Sequence, residues 1–382
     1  MGVLWQLQVA SVYIGAVLGA GFASGQEIMQ FFVRYGSDGP SAVVLSGVLF
    51  GILGPAVLVL CRQRSFFQYQ DLLNYLFGQK LGKVMDLIIA ISLFSGLMVM
   101  LSGTGALVSQ QWGWPYWLGV SLTAIGVFFS LWGGLKGLLW VNTFLVPIKA
   151  LICVAVAGGV LLLSPSIESV PTEWQGYVDV FAGYHNPNLD SASTTESFGL
   201  LPSSAAFGAF LYVSFNLAMS MVVLVALTPQ VKKQGGYQGA AVGGLLLGLF
   251  AYVLTLAMLQ YVPEIEAYPV PMLFLASTLH PWTGHIYAFL LWLAMFTAAL
   301  GSAFGAALRI SKEKKGKKFQ KALFFSIVSV APFSLLPFAD LVATLYPIFG
   351  YIGLPIIAAI AWSVGRDWWR KKWSEQDAKI GS

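Results

Sequence analysis

The chain has 382 residues, 57% of them hydrophobic and only 10% charged, with a mean hydropathy of +0.76 and a formal net charge of +5. So much apolar surface excludes a water-soluble globule of this length and defines an integral membrane protein. The positive charge collects in short joints beside apolar runs, where it meets anionic lipid and sets topology, so it implies no nucleic acid partner.

A hydrocarbon core of about 30 Å takes about 20 apolar residues per helix. Runs of that length predict ten transmembrane helices, at about 7–33, 41–61, 83–110, 116–132, 136–163, 203–228, 236–261, 284–309, 320–337 and 339–363. The opening MGVLWQLQVASVYIG has no basic n-region and no small-residue cleavage site, so the first span is expected to be retained.

The first span contains GAGFASGQE, Gly19 to Glu27, which puts three glycines, a serine, an amide and a carboxylate where lipid-facing helix is expected. A helix restarting at Ser24 would form the S-x-x-E capping box, with Ser24 as N-cap and Glu27 reaching back to its N–H. The restart would aim free N–H groups at Ser24, Gly25 and Gln26, and the positive end of a half-helix, at an anionic group. Gly19, Gly21 and Gly25 would let the chain turn and let a ligand approach the backbone. The alternative is that these small residues only permit close helix packing.

Between the second and third spans, SFFQYQDLLNYLFG (Ser65 to Gly78) is expected to lie flat at the interface. QWGWPYW (Gln111 to Trp117) suits the outer interface, and DWWRKKW (Asp367 to Trp373) the inner one. The fifth span carries Lys149, the basic residue nearest mid-membrane, just after Pro147. It should face a cavity or a partner rather than lipid. Two roles stay open for it: a group that gains and loses a proton, or a permanent charge tying spans together, for example through Glu27. The sixth span, SSAAFGAFLYVSFNLAMSMVVLVAL, has Ser214 and Asn216 around Phe215 near its centre and is expected to be interrupted there.

Charge orients the spans. With an inside amino terminus, 19 of the 21 basic residues fall on one side, among them Arg62, Arg64, Lys136 and the groups at 309–321 and 366–379. The opposite side receives Arg34 and acidic residues including Asp38, Glu168, Glu264 and Asp340. Both termini are therefore expected to be cytoplasmic. Ten spans divide into five plus five: a first repeat at 1–164, an outer connection at 165–202, a second repeat at 203–365 and a basic cytoplasmic tail at 366–382. Because five is odd, the halves enter the membrane from opposite sides, as an inverted repeat requires. Spans one and six then correspond, and both breaks fall at mid-membrane.

GAVLGAGFASGQEIMQFF, followed by ten spans with a second break in the sixth, resembles the YkvI-like membrane proteins of the amino acid, polyamine and organocation (APC) transporter superfamily, which has the LeuT fold. The resemblance implies an all-α integral membrane fold with helices one and six interrupted, and alternating access to a site between spans one, three, six and eight. It places that site at Gly19, Gly21, Phe22, Ser24, Gly25 and Gln26, with Tyr212, Ser214, Phe215 and Asn216 from the sixth span. Ser92, Ser95 and Gly96 of the third span are implied lining residues. Sodium-coupled relatives use an adjacent hydroxyl pair in the eighth span, where this chain offers Thr297 and Ser302, which are not adjacent. Some proton-coupled relatives place a fifth-span lysine at the sodium position, and Lys149 looks similar to it.

These readings converge on a secondary transporter of the bacterial cytoplasmic membrane, moving a small amino acid or a related zwitterion or amine. Coupling is expected from protons through Lys149 and Glu27, with sodium coupling through Thr297 and Ser302 as the alternative. If Glu27 faces the cavity rather than its own helix cap, a cationic substrate is favoured. A ligand-sensing receptor subunit without net flux is a further alternative on the same scaffold. An enzyme is not expected, because no nucleophile with a base, no metal cluster and no phosphate loop is present. No cofactor is expected beyond the coupling ion. His185, His280 and His285 lack zinc-ligand spacing, and Cys61 and Cys153 read as reduced packing residues.

Overall fold

Backbone N–H and C=O groups in hydrocarbon must bond within the chain, and apolar runs without strand-like alternation do so as helices. The computed structural model describes residues 2–132, 138–163, 200, 202–313 and 315–380, and among them all regular structure is helical. The expected outer connection, with Glu168 and His185, lies outside the described residues except at 200 and 202, and so does Lys136.

The segment expected as the first span comprises three pieces, α1 (Gly2–Val17), α2 (Ala20–Ser24) and α3 (Gln26–Phe31), followed by a 3₁₀ stretch at Val33–Asp38. Then come α4 (Gly39–Arg64), α5 (Tyr69–Trp112), α6 (Tyr116–Leu131) and α7 (Leu138–Leu163). The later part contains α8 (Ala205–Ala226), α9 (Thr228–Gln234), α10 (Tyr237–Leu259), α11 (Pro271–Leu279), α12 (Pro281–Ser311), α13 (Lys317–Val330) and α14 (Phe338–Ile380). Each expected span overlaps helical structure, the first of them as three pieces, and the span expected at 320–337 keeps its long helix only to Val330. Among the described residues, six helices are long and apolar enough to cross a membrane, while Val3–Val17, Tyr116–Leu131 and Ile148–Leu163 are shorter apolar segments. Large side chains such as Ile52, Leu87, Phe129, Leu162 and Phe289 point outward, as a lipid-facing surface requires.

Packing puts α8 at the centre, against α1, α4 and α14, while α12 lies along α5. The α4–α10 crossing is close because both helices present glycine. A Cβ on Gly47 would stand 2.9 Å from the Cα of Gly248, and one on Gly244 would overlap the backbone at Phe50. In lipid, where apolar side chains gain little by meeting one another, such backbone-to-backbone contact is a main source of helix association.

The stretch expected at the interface forms the start of α5, and Gly78 (φ 74°, ψ 170°) bends it away from the remainder. Its anchor is Asp86. That carboxylate accepts from Tyr69 Oη (2.6 Å) and Gln70 Nε2 (3.3 Å) and pairs with Arg309 at the end of α12 (2.7 Å).

The sixth span corrects an expectation. The helix α8 runs unbroken from Ala205 to Ala226. Its polar side chains satisfy carbonyls instead of opening the backbone: Asn216 Nδ2 donates to the Tyr212 carbonyl one turn earlier (3.1 Å), and Ser214 Oγ donates to the Gly350 carbonyl of α14. A buried hydroxyl or amide needs a partner, and here neighbouring turns provide it without a break.

Candidate functional site

The first span breaks inside the bundle. Leu18 and Gly19 are non-helical, Gly19 caps α2 in an extended conformation, and Gly25 (φ 85°, ψ −10°) turns the chain again before α3. Gly25 occupies the left-handed region that a residue with a Cβ avoids. It also sits under the start of α11, where a Cβ would meet Met272 Cγ at 2.9 Å and Pro271 Cβ at 3.2 Å. The residues before α11 are held in turn by Gln110 of α5, whose Nε2 donates to the Val270 carbonyl (3.0 Å) and whose Oε1 accepts the Val270 N–H (2.9 Å).

The capping box does not form, which is a second correction. Ser24 Oγ donates to the Gly21 carbonyl (2.7 Å) and accepts from the Gln26 N–H (3.2 Å), and Gly25 itself occupies the cap of α3. The Gly25 N–H donates to the Phe22 carbonyl (3.0 Å), so the amides of Gly25 and Gln26 are closed rather than free for an anion. Gly25 separates two short helices at the point where a continuous first turn would be needed, and the serine closes the gap locally.

Glu27 is therefore released from any capping role. It is 3% exposed, with Oε2 lacking a hydrogen-bond partner, and Gln26 Oε1 and Tyr212 Oη are buried and unpartnered as well. The carboxylate lies on the face of α2 at Gly21, where a Cβ would overlap Glu27 Oε1 and stand 3.0 Å from Tyr346 Oη. Tyr212 and Tyr346 both lie within electrostatic range of this carboxylate. Phe215 stacks on Tyr346 at 4.5 Å, and Tyr212 is packed among Phe31, Phe32 and Phe50, with ring centroids 4.9–5.9 Å apart. A carboxylate taken out of water without donors costs several kcal/mol, which surrounding structure or a ligand must offset.

Lys149 lies at another face of α2. It lines a recess of about 10 Å³, room for about one water, together with Ala23, Cys153, Tyr287 and Ala294. Tyr287 Oη donates to the Ala23 carbonyl and shares a 3.2 Å hydrogen bond with Cys153 Sγ. With the tyrosine proton committed to the carbonyl, the thiol is the donor to the tyrosine oxygen. Lys149 and Glu27 feel each other's charge across α2, yet no ion pair within 4 Å joins them among the described residues.

Of the residues expected at the site, Gly21, Glu27, Tyr212 and Phe215 come together around Tyr346, and Phe22 is buried at 1% exposure. Ser214 turns instead toward α14, and Asn216 serves its own helix. Ser95 is buried, and Ser92 Oγ donates to the Ile89 carbonyl (2.7 Å). Thr297 Oγ1 donates to the Ala294 carbonyl (3.0 Å), whereas Ser302 faces Gly96 across the α5–α12 contact, so these hydroxyls do not converge. Tyr287 and Tyr346 escaped the sequence reading. A phenol in an apolar run is the available signal, since its hydroxyl seeks a partner when buried.

The described fold is similar to that of a solved membrane transporter. Crystal structures of mutants of the Eremococcus coleocola manganese transporter superpose with TM-scores of 0.52, 0.52 and 0.51 at 14–15% identity, covering 93% of this chain and 78% of that one. In sequence, the chain is 28% identical to the Bacillus subtilis (strain 168) protein described as "Uncharacterized membrane protein YkvI", over 92% of this chain and 94% of that protein. It is 26% identical to "Uncharacterized protein YyaD" of the same organism, over 94% of this chain and 96% of that protein. No family model matches the chain.

Proposed function

We propose that the protein is a secondary transporter of the bacterial cytoplasmic membrane, built from ten spans in two inverted five-span repeats with both termini cytoplasmic. It moves a small amino acid or a related zwitterion or amine by alternating access at the break in the first span. One observation carries this reading: the backbone leaves the helix at Gly19 and Gly25 inside the bundle and leaves Glu27, Gln26 and Tyr212 with buried polar atoms unpartnered. Such a site is tolerated within a membrane where it lines a cavity or holds a solute. The transporter fold of the solved structures and the glycine crossing of α4 with α10, the second and seventh spans of the proposed repeats, support it.

Coupling is assigned to a proton at Lys149. The lysine borders the broken helix with room for about one water, so protonation there bears directly on α2. The separation of Thr297 from Ser302 disfavours sodium. Uptake of radiolabelled amino acids into proteoliposomes tests both points: an inward proton gradient should drive accumulation, and Lys149→Ala should abolish that dependence. Accumulation driven by sodium alone and indifferent to pH refutes the proton assignment.

A further inference from the structure

We propose that the group recognised at the break is an ammonium, held by the Glu27 carboxylate between Gly21, Tyr212 and Tyr346, and that a carboxylate on the solute is not needed for recognition. This rests on the reading of the break as the solute site and names the chemistry that the site selects.

Acceptors outnumber donors at the break. Glu27 Oε2 and Gln26 Oε1 are buried acceptors without donors, on adjacent residues at the start of α3. Tyr212 Oη, unpartnered too, lies in electrostatic range of Glu27 and can accept as well as donate. The anion-binding groups that a carboxylate would use are committed elsewhere: the Gly25 and Gln26 amides are bonded within the chain, and Lys149 lies beside Ala23 rather than Gly21. A ligand that supplies N–H and positive charge therefore matches the site, and one that supplies negative charge meets Glu27. A primary ammonium brings three donors. The stacked rings of Phe215 and Tyr346 add an aromatic wall suited to a cation.

A metal ion fits less well. The described residues hold no group of three or more His, Cys, Asp or Glu, and a hard divalent ion asks for about six oxygen ligands, several of them charged. Gly21 is part of the device, because its missing side chain is the space that Glu27 Oε1 occupies.

The test is thermal stabilisation of the full-length, detergent-purified protein by four probes: methylammonium, the ammonium alone; acetate, the carboxylate alone; glycine, both; and Mn²⁺. Methylammonium and glycine should raise the melting temperature, and acetate and Mn²⁺ should not. Glu27→Gln should weaken methylammonium about ten- to hundredfold, the loss of one charged hydrogen bond. Tyr212→Phe and Gly21→Ala should weaken it less, and they carry the test if the glutamine variant does not fold. The inference is overturned if acetate stabilises as methylammonium does, if Mn²⁺ alone stabilises, if no probe does, or if every variant that folds leaves the methylammonium response unchanged. Accumulation of an anionic or neutral solute by wild-type proteoliposomes, without a methylammonium response, would leave the transport reading standing and remove this one.

Discussion

Replacing Gly25 by alanine tests whether the second turn of the first span is imposed by the backbone. The native φ of +85° costs a residue with a Cβ about 1–2 kcal/mol. The new Cβ would also press on Met272 Cγ at 2.9 Å, Met272 N at 3.0 Å and Pro271 Cβ at 3.2 Å. Overpacking of that kind adds about 1–3 kcal/mol, because the contact includes backbone of α11 that cannot swing aside. The sum, about 2–5 kcal/mol, corresponds to a fall of about 3–6 °C in melting temperature for a chain of this length. Gly301→Ala is the control, since a Cβ there meets nothing within 4 Å. Thermal unfolding of both variants in one detergent would decide the matter. If Gly25→Ala melts with the wild type, the left-handed turn is not a constraint and the geometry assigned to the break is wrong.

Three further substitutions probe the supports around the site. Gln110→Ala removes both hydrogen bonds to Val270 and should loosen the stretch before α11 by about 1–3 kcal/mol, read as faster hydrogen exchange at Val270 and the first turn of α11. Asp86→Asn leaves Arg309 unmatched, with both side chains more than a quarter exposed, so a loss of about 1–2 kcal/mol and faster proteolysis near Gly78 are expected. Gly248→Ala drives a methyl into Gly47 and should cost about 1–3 kcal/mol in melting experiments, whereas Gly158→Ala, which meets nothing within 4 Å, should be neutral.

The helices were legible because long apolar runs punctuated by charge leave few other structures in a bilayer. The break in the first span was legible for a local reason, the glycines at 19 and 25, and both are where the helix is interrupted. In the sixth span, Ser214 and Asn216 suggest an opened backbone, yet the helix is continuous and both side chains donate to carbonyls. Which carbonyl a polar side chain finds, one turn back or on α14, is a tertiary fact that no local pattern encodes. The capping box failed similarly: the S-x-x-E spacing was present, but Gly25 intervenes in the left-handed region and Glu27 turns inward to Gly21. Tyr346 and Tyr287 reach opposite neighbours of the broken helix from spans far along the chain, and only the folded arrangement brings them there.

Solvent access at the break bears most directly on the whole account. In a Cys61→Ala, Cys153→Ala background, Ser24→Cys places one thiol at a residue that is fully buried here. The account predicts that membrane-impermeant maleimides label it from either face of oriented vesicles, with a saturating solute suppressing both reactions. A thiol that stays unreactive from both faces under all conditions would contradict it, since the break would then be a packing feature and not a site that opens alternately to each side.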